Sequence, residues 1–158
     1  MNDVAGQPLL PADPDVDLGV PAQRVELRQH PLAVLGAISV GGVIGALARY
    51  GITTAVPGPF PWATLGINVL GCALIGVLMV LVGGVWRARP LARPFLGVGV
   101  LGGFTTFSTY TVDTLTLVRH GSLGAAIGYA VATLVGAVAA TWLGLSITDS
   151  LMRRRGVS

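Results

Sequence analysis

An all-α membrane protein with four transmembrane helices, the third of them broken, is the fold class this sequence predicts. Three observations carry that reading. Of the 158 residues, 53% are hydrophobic and only 11% charged, with a mean hydropathy of +0.75, whereas a soluble domain carries roughly 25% charge. Four apolar stretches, each near the roughly 20 residues that cross a bilayer core, are separated by short segments rich in Pro, Gly and Arg. The third stretch is interrupted by Gly102-Gly103-Phe104-Thr105-Thr106-Phe107-Ser108-Thr109-Tyr110-Thr111. Paired glycines weaken a helix, and irregular backbone at membrane depth persists only when buried in protein or lining a cavity. A break surrounded by hydroxyls and aromatics therefore reads as a site. For any one of these residues alone, a hydroxyl bonded back to its own helix or a glycine at a tight contact is the simpler account.

Composition also narrows the function. One cysteine, Cys72, allows no intramolecular disulfide. All ten basic residues are Arg, and the pI is about 9.8. These arginines flank the apolar stretches, where they set topology, so the basic balance does not point to nucleic acid. No P-loop, zinc-ligand cluster or Ser/His/Asp constellation is present, and His30 and His120 fall at span edges. An enzyme is not expected.

Residues 1–30 hold five of the seven acidic residues (Asp3, Asp13, Asp15, Asp17, Glu26) and four prolines. Such a segment buries too little apolar surface to order itself, and it lacks the basic start and apolar core of a signal peptide. It is expected to be a disordered tail, with room for a short helix over about 22–30. Residues 31–150 form the membrane domain and 151–158 a basic tail.

The first span, about 32–49, carries Gly41 and Gly45, a small-xxx-small pair that admits a neighbouring helix. Arg49 at its end is either an interfacial anchor or a vestibule cation for anions. Pro57-Gly58-Pro59-Phe60-Pro61 is a rigid uncharged turn, and Trp62 opens the second span, about 62–85, at a depth suited to an aromatic belt. Thr64, Asn68, Cys72 and Gly76 recur every four residues there and share a face. An amide in hydrocarbon needs a partner, so Asn68 is a helix–helix hydrogen bond or a donor on a polar track.

A basic loop, Trp86 to Pro94, leads to the third span, about 95–118. Asp113 lies past its interruption, near a far vestibule or simply near the helix end. In the fourth span, about 122–147, Gly124, Gly128, Ala132, Gly136, Ala140 and Gly144 make a small face expected to be a packing seam. Tyr129, Thr133, Ala137 and Thr141 run beside it as a partly polar stripe. Four spans put both termini on one side, with Arg24, Arg28, Arg87, Arg89, Arg93 and Arg153 to Arg155, against only Arg49 and Arg119 on the other. Eight against two predicts cytoplasmic termini in the cell membrane.

Assembled in this order, the sequence resembles the fluoride channels of the Fluc (CrcB) family over roughly residues 36–147. The resemblance rests on Gly41-Gly42-Val43-Ile44-Gly45-Ala46-Leu47-Ala48-Arg49-Tyr50, on Thr64-Leu65-Gly66-Ile67-Asn68-Val69-Leu70-Gly71, and on Gly102 to Tyr110. It implies an antiparallel dimer of four-helix subunits with two pores, passive fluoride export that lowers fluoride toxicity, and a structural sodium ion at the dimer interface. On this chain the sodium ligands correspond to the main-chain carbonyls of Gly102 and Thr105. The pore asparagine corresponds to Asn68, the paired phenylalanines to Phe107 and Tyr110, and the polar track to Tyr129 and Thr133, with Ala137 next.

The chemistry suits such residues. A small, strongly hydrated anion needs donors to replace its water. Asn68 offers N–H, and Thr64, Ser108, Thr109 and Thr133 offer O–H. The electropositive edge of Phe107 can face an anion, although aromatics three apart also pack as plain core. No carboxylate is expected at mid-membrane. Two departures from the family pattern stand out: Tyr110 puts a phenol where Phe is usual, and the strong Arg bias favours a heterodimer with an oppositely oriented homologue over a homodimer. A small multidrug-type proton-coupled antiporter, which depends on an intramembrane carboxylate, and a non-conducting accessory subunit are the competing readings.

Overall fold

In a computed structural model of the chain, residues 31–83 and 91–154 are described. The N-terminal tail, most of the basic loop and residues 155–158 lie outside them, and so do the expectations placed there. The chain divides into a unit of Met1–Ala33, of which only the first turn of α1 is described, and a compact unit of Val34–Ser158. Every described element is helical: α1 (Pro31–Ala55), α2 (Trp62–Gly83), α3 (Arg93–Leu101), α4 (Gly102–Phe104), α5 (Phe107–Arg119) and α6 (Leu123–Arg154). With α3 to α5 taken as one crossing, Arg93–Arg119, the described residues contain four helices long and apolar enough to span a membrane. The protein is thus an all-α, multi-pass membrane protein.

Two helices run past their expected ends. α1 continues beyond Arg49 to Ala55 because Thr53 and Thr54 turn their hydroxyls back onto the carbonyls of Arg49 and Tyr50, at 2.9 and 3.0 Å, so the helix absorbs its own polar residues. It stops where Pro57 disfavours helical backbone in the residue before it. α6 runs to Arg154, not 147. The polar residues Thr148 to Ser150 stay helical, and Arg153 Nε meets Asp149 Oδ2 one turn away at 2.9 Å. At about 1.5 Å per residue its 32 residues span about 48 Å, well beyond an apolar core of about 30 Å. α3 is wound more widely than expected, as a π-helix with i→i+5 bonding.

Glycine sets how closely these helices approach. A Cβ on Gly41 would strike the Phe95 carbonyl oxygen, and one on Gly45 the Val100 carbonyl oxygen. A Cβ on Gly103 would strike the Gly42 carbonyl oxygen. α1 therefore lies backbone-on-backbone against α3 and α4. α2 meets α6 in the same way, Gly76 against the Thr141 carbonyl and Gly144 against that of Ala73. The Thr141 hydroxyl also donates to the Cys72 carbonyl at 3.2 Å.

The small face of α6 is not one continuous seam within the chain. Gly144 is buried and Gly136 comes close to Val69, but a Cβ on Gly124 or Gly128 would touch nothing within 4 Å. The neighbouring stripe packs instead: Ala126, Tyr129 and Thr133 are buried. The reason is volume. Tyr129, 1% exposed, joins Leu117 and Ala126 in a core flanked by Phe60, Leu65 and Tyr110, a space that glycines would leave as a void. α5 hands over to α6 through a tight turn. Gly121 adopts φ +75°, and the Ser122 amide closes onto the Leu117 carbonyl at 3.0 Å, the glycine-terminated helix end that favours this residue.

Candidate functional site

The site is built where helical backbone stops for two residues. α4 ends with the Thr105 amide and hydroxyl both bonded to the Leu101 carbonyl, each at 3.0 Å. Thr105 then takes φ −77°, ψ 159° and Thr106 φ −150°, ψ 124°, both extended. Helical bonding resumes at Phe107. The extension takes the carbonyls of Gly102 to Thr105 out of the i→i+4 ladder, the position of any helix's last four carbonyls.

Asn68 bridges the gap from α2. Its Nδ2 donates to the Thr106 carbonyl and its Oδ1 accepts from the Thr106 amide, both at 2.9 Å. The carboxamide thus supplies an acceptor to the Thr106 amide, which has no helical partner, and a second donor to the Thr106 carbonyl, which as the N-cap acceptor opens the α5 ladder. The Thr106 side chain completes the junction. Its Oγ1 accepts the Thr109 amide at 3.2 Å, capping α5, donates to Thr109 Oγ1 at 3.0 Å, and lies 3.3 Å from Ser108 Oγ. Thr106 itself is buried.

Beside this junction opens a cavity of about 280 Å³. One wall is the Pro57–Pro61 turn; Thr53 of α1, Thr64 of α2, Thr109, Asp113 and Thr116 of α5 and its C-cap His120 are among the other lining residues. Thr109, Asp113, Thr116 and the capping His120 fall at intervals of four, three and four and so share one face. Trp62, Phe60, Tyr129, Tyr110 and Phe107 form a series running from the turn to the junction. Phe60 meets Trp62 at 4.5 Å between ring centroids and Tyr129 edge-on at 5.7 Å; Tyr129–Tyr110 and Tyr110–Phe107 follow at 5.5 and 5.7 Å.

The residues singled out from sequence are not all placed alike. Thr64 and Thr109 come together at the cavity, and Tyr129 packs edge-on against Phe60 of its lining; Thr64 and Tyr129 are buried. Asn68 faces the Thr106 backbone. Thr133 is buried with its hydroxyl donated to the Tyr129 carbonyl at 2.8 Å, so its O–H is committed within α6. Ser108 is exposed beside Thr106. The Tyr110 phenol reaches the Ala130 carbonyl at 3.5 Å. Phe107 is 80% exposed on this single chain. Gly102 is exposed and Thr105 half-buried. Arg49 is half-buried, six residues inside the end of α1, and is not among the residues lining the cavity.

Sequence reading singled out neither Thr106 nor Phe60, and it left Asp113 between a vestibule and the helix end. Asp113 lines the cavity, so a carboxylate does face it, and its Oδ2 accepts from the Tyr129 hydroxyl at 3.4 Å. A Thr immediately before a helical run is an N-cap signal that could have singled out Thr106 from its hydroxyl neighbours.

A broad, all-helical membrane protein with a hydroxyl-lined junction opening on a polar cavity is the class these features define. The chain belongs to the family described as CrcB-like protein, Camphor Resistance (CrcB), which it matches over residues 36–145. Among its relatives is "Fluoride-specific ion channel FluC 2" of Nocardia farcinica, 53% identical over 122 residues that cover 74% of this chain and 87% of that protein. Two further relatives are from Streptomyces avermitilis: FluC 2 is 46% identical over 125 residues (77% of this chain, 79% of the relative). FluC 3 is 44% identical over 135 residues (84% and 65%).

Proposed function

We propose that the chain is a fluoride-specific passive channel that lets fluoride leave the cytoplasm, acting as one subunit of an antiparallel, dual-pore dimer. The observation that carries this reading is the 53% identity to a fluoride-specific channel over 122 residues, together with a family match that contains every site residue discussed above.

The chemistry runs from the cavity to the junction. A fluoride ion entering between Thr64 and Thr109 exchanges water for hydroxyl donors. Deeper in, Asn68 has a second Nδ2–H beyond the one given to Thr106, and the edge of Phe107 is electropositive. The exposure of Phe107 on one chain suits a pore wall completed by a second chain. Tyr110, Tyr129, Ser108 and Thr133 form the remaining wall, Thr133 by shape rather than by its committed hydroxyl. Arg49, off the cavity, acts at longer range on anions near the mouth.

The interruption at Thr105–Thr106 is the break of the third span. Carbonyls released there are hard oxygen ligands, which fit a sodium ion. Gly102 and Thr105 would hold it by their main-chain oxygens at the dimer interface, where its positive charge would balance carbonyls brought together from two chains. The arginine distribution supports cytoplasmic termini. It also supports a heterodimer with an oppositely oriented homologue, in keeping with the presence of more than one FluC protein in S. avermitilis.

Efflux from liposomes tests the reading, with the chain alone and with a homologue of opposite bias. Fluoride flux with negligible chloride flux is expected. Absence of fluoride flux in both arms would overturn it. Tagged termini should report a single orientation; comparable amounts of both would rule out the heterodimer.

A further inference from the structure

The hydroxyls around the junction can be counted, and the count is uneven. A threonine hydroxyl has one proton and two lone pairs. Thr106 donates its proton to Thr109 Oγ1. One of its lone pairs takes the Thr109 amide, so in the 3.3 Å contact with Ser108 the serine is the donor. Thr106 is then fully used, and Ser108 has spent its proton. Thr109 has accepted a hydrogen bond and still holds its own proton.

Thr109 also lacks the usual outlet for that proton. Elsewhere on α5, Thr111, Thr114 and Thr116 return theirs to the carbonyl four residues back, at 3.0, 2.8 and 2.8 Å. For Thr109 that carbonyl belongs to Thr105, in extended backbone ahead of the helix. The next one, of Thr106, is occupied by Asn68 Nδ2. The remaining open direction is the cavity that Thr109 lines.

We infer that Thr106 is a positioning residue for anion entry: by donating to Thr109 it fixes that hydroxyl as a proton donor into the cavity. This rests on the channel reading, with a small anion as the group received. Asn68 acts in the same sense, because its grip on the Thr106 carbonyl denies Thr109 a back-bond. Thr106 touches no ion itself. It sets the polarity of a neighbour that does.

Fluoride efflux from liposomes, with thermal unfolding as the control for folding, tests the inference. Thr106→Val, which keeps the shape and removes the hydroxyl, should lower efflux about tenfold or more, the scale of a hydrogen bond to a charge. Thr106→Ser should restore it to within about twofold of the parent. Thr106→Val combined with Thr109→Val should be no worse than Thr109→Val alone, since residues that act as one unit are not additive. Multiplied losses, or wild-type efflux from Thr106→Val, would overturn the inference and leave the channel standing. Thr106→Gly serves if the valine variant does not fold, because glycine is well tolerated at an N-cap.

Should the parent chain pass no fluoride either alone or with the homologue, the channel reading fails, and the network is judged by amide exchange of the first turn of α5. Faster exchange in Thr106→Val but not in Thr106→Ser supports the network; unchanged exchange in both overturns it.

Discussion

Asn68 and Thr106, 38 residues apart, are joined by two hydrogen bonds of 2.9 Å that use both ends of one carboxamide. The pair ties α2 to the one place in the third span where backbone groups lose their helical partners. Asn68→Asp keeps the shape and the acceptor but cannot donate, and it sets a charged oxygen against the Thr106 carbonyl. Losing that hydrogen bond and leaving a charged oxygen against the carbonyl costs about 1–3 kcal/mol. The variant should be destabilised by about that much in thermal unfolding and should lose most fluoride efflux. Unchanged efflux would remove Asn68 from the path.

Gly45→Ala probes the contact between α1 and the third span. The added Cβ would run into the Val100 carbonyl oxygen and lie 2.8 Å from the Phe104 amide nitrogen. Backbone cannot swing aside as a side chain can, so a cost of about 1–3 kcal/mol is expected. Gly36→Ala, with nothing within 4 Å, should cost nothing. Equal stability of the two variants would contradict the close approach.

Asp113→Asn removes the carboxylate from the cavity wall and still offers Tyr129 an acceptor. A unit charge about 4 Å from a passing anion is worth about 1 kcal/mol in a water-like medium. Efflux at limiting fluoride should rise about two- to fivefold. Proton-coupled drug efflux by the parent chain, abolished in this variant, would favour the antiporter instead.

Replacing sodium throughout with N-methylglucamine should separate the proposed dimer, read by crosslinking, and abolish fluoride efflux. Gly102→Ala retains the main-chain oxygen and should keep its sodium dependence. Pairing and efflux indifferent to sodium would remove the ion from the account.

Much of the fold was legible because bilayer length and periodicity leave few options: four apolar stretches near 20 residues admit little but four helices. Gly41 and Gly45 announced a close contact, and one exists. Helix ends were less legible. Thr53, Thr54 and Asp149 look like boundary residues but are absorbed by back-bonds and an ion pair one turn apart. On α6 the small stripe drew attention, while Tyr129 decided which stripe is buried. The hydroxyl cluster was visible as a site, yet its division of labour was not. That Thr133 is spent on its own helix, and that Thr106 rather than Ser108 organises the junction, depends on which lone pairs the extended backbone leaves open.

The released carbonyls from Gly102 to Thr105 bear on the life of a newly inserted chain. Gly102 is exposed on the single chain, and in lipid each polar backbone group without a partner costs several kcal/mol. For the proposed dimer, a solitary subunit is therefore the high-energy species, its time in the membrane set by how soon those oxygens are covered. Once covered they resist being bared again, so exchange of subunits between mature complexes should be slow. Clearance by proteases should fall mainly on copies that have not yet found a mate.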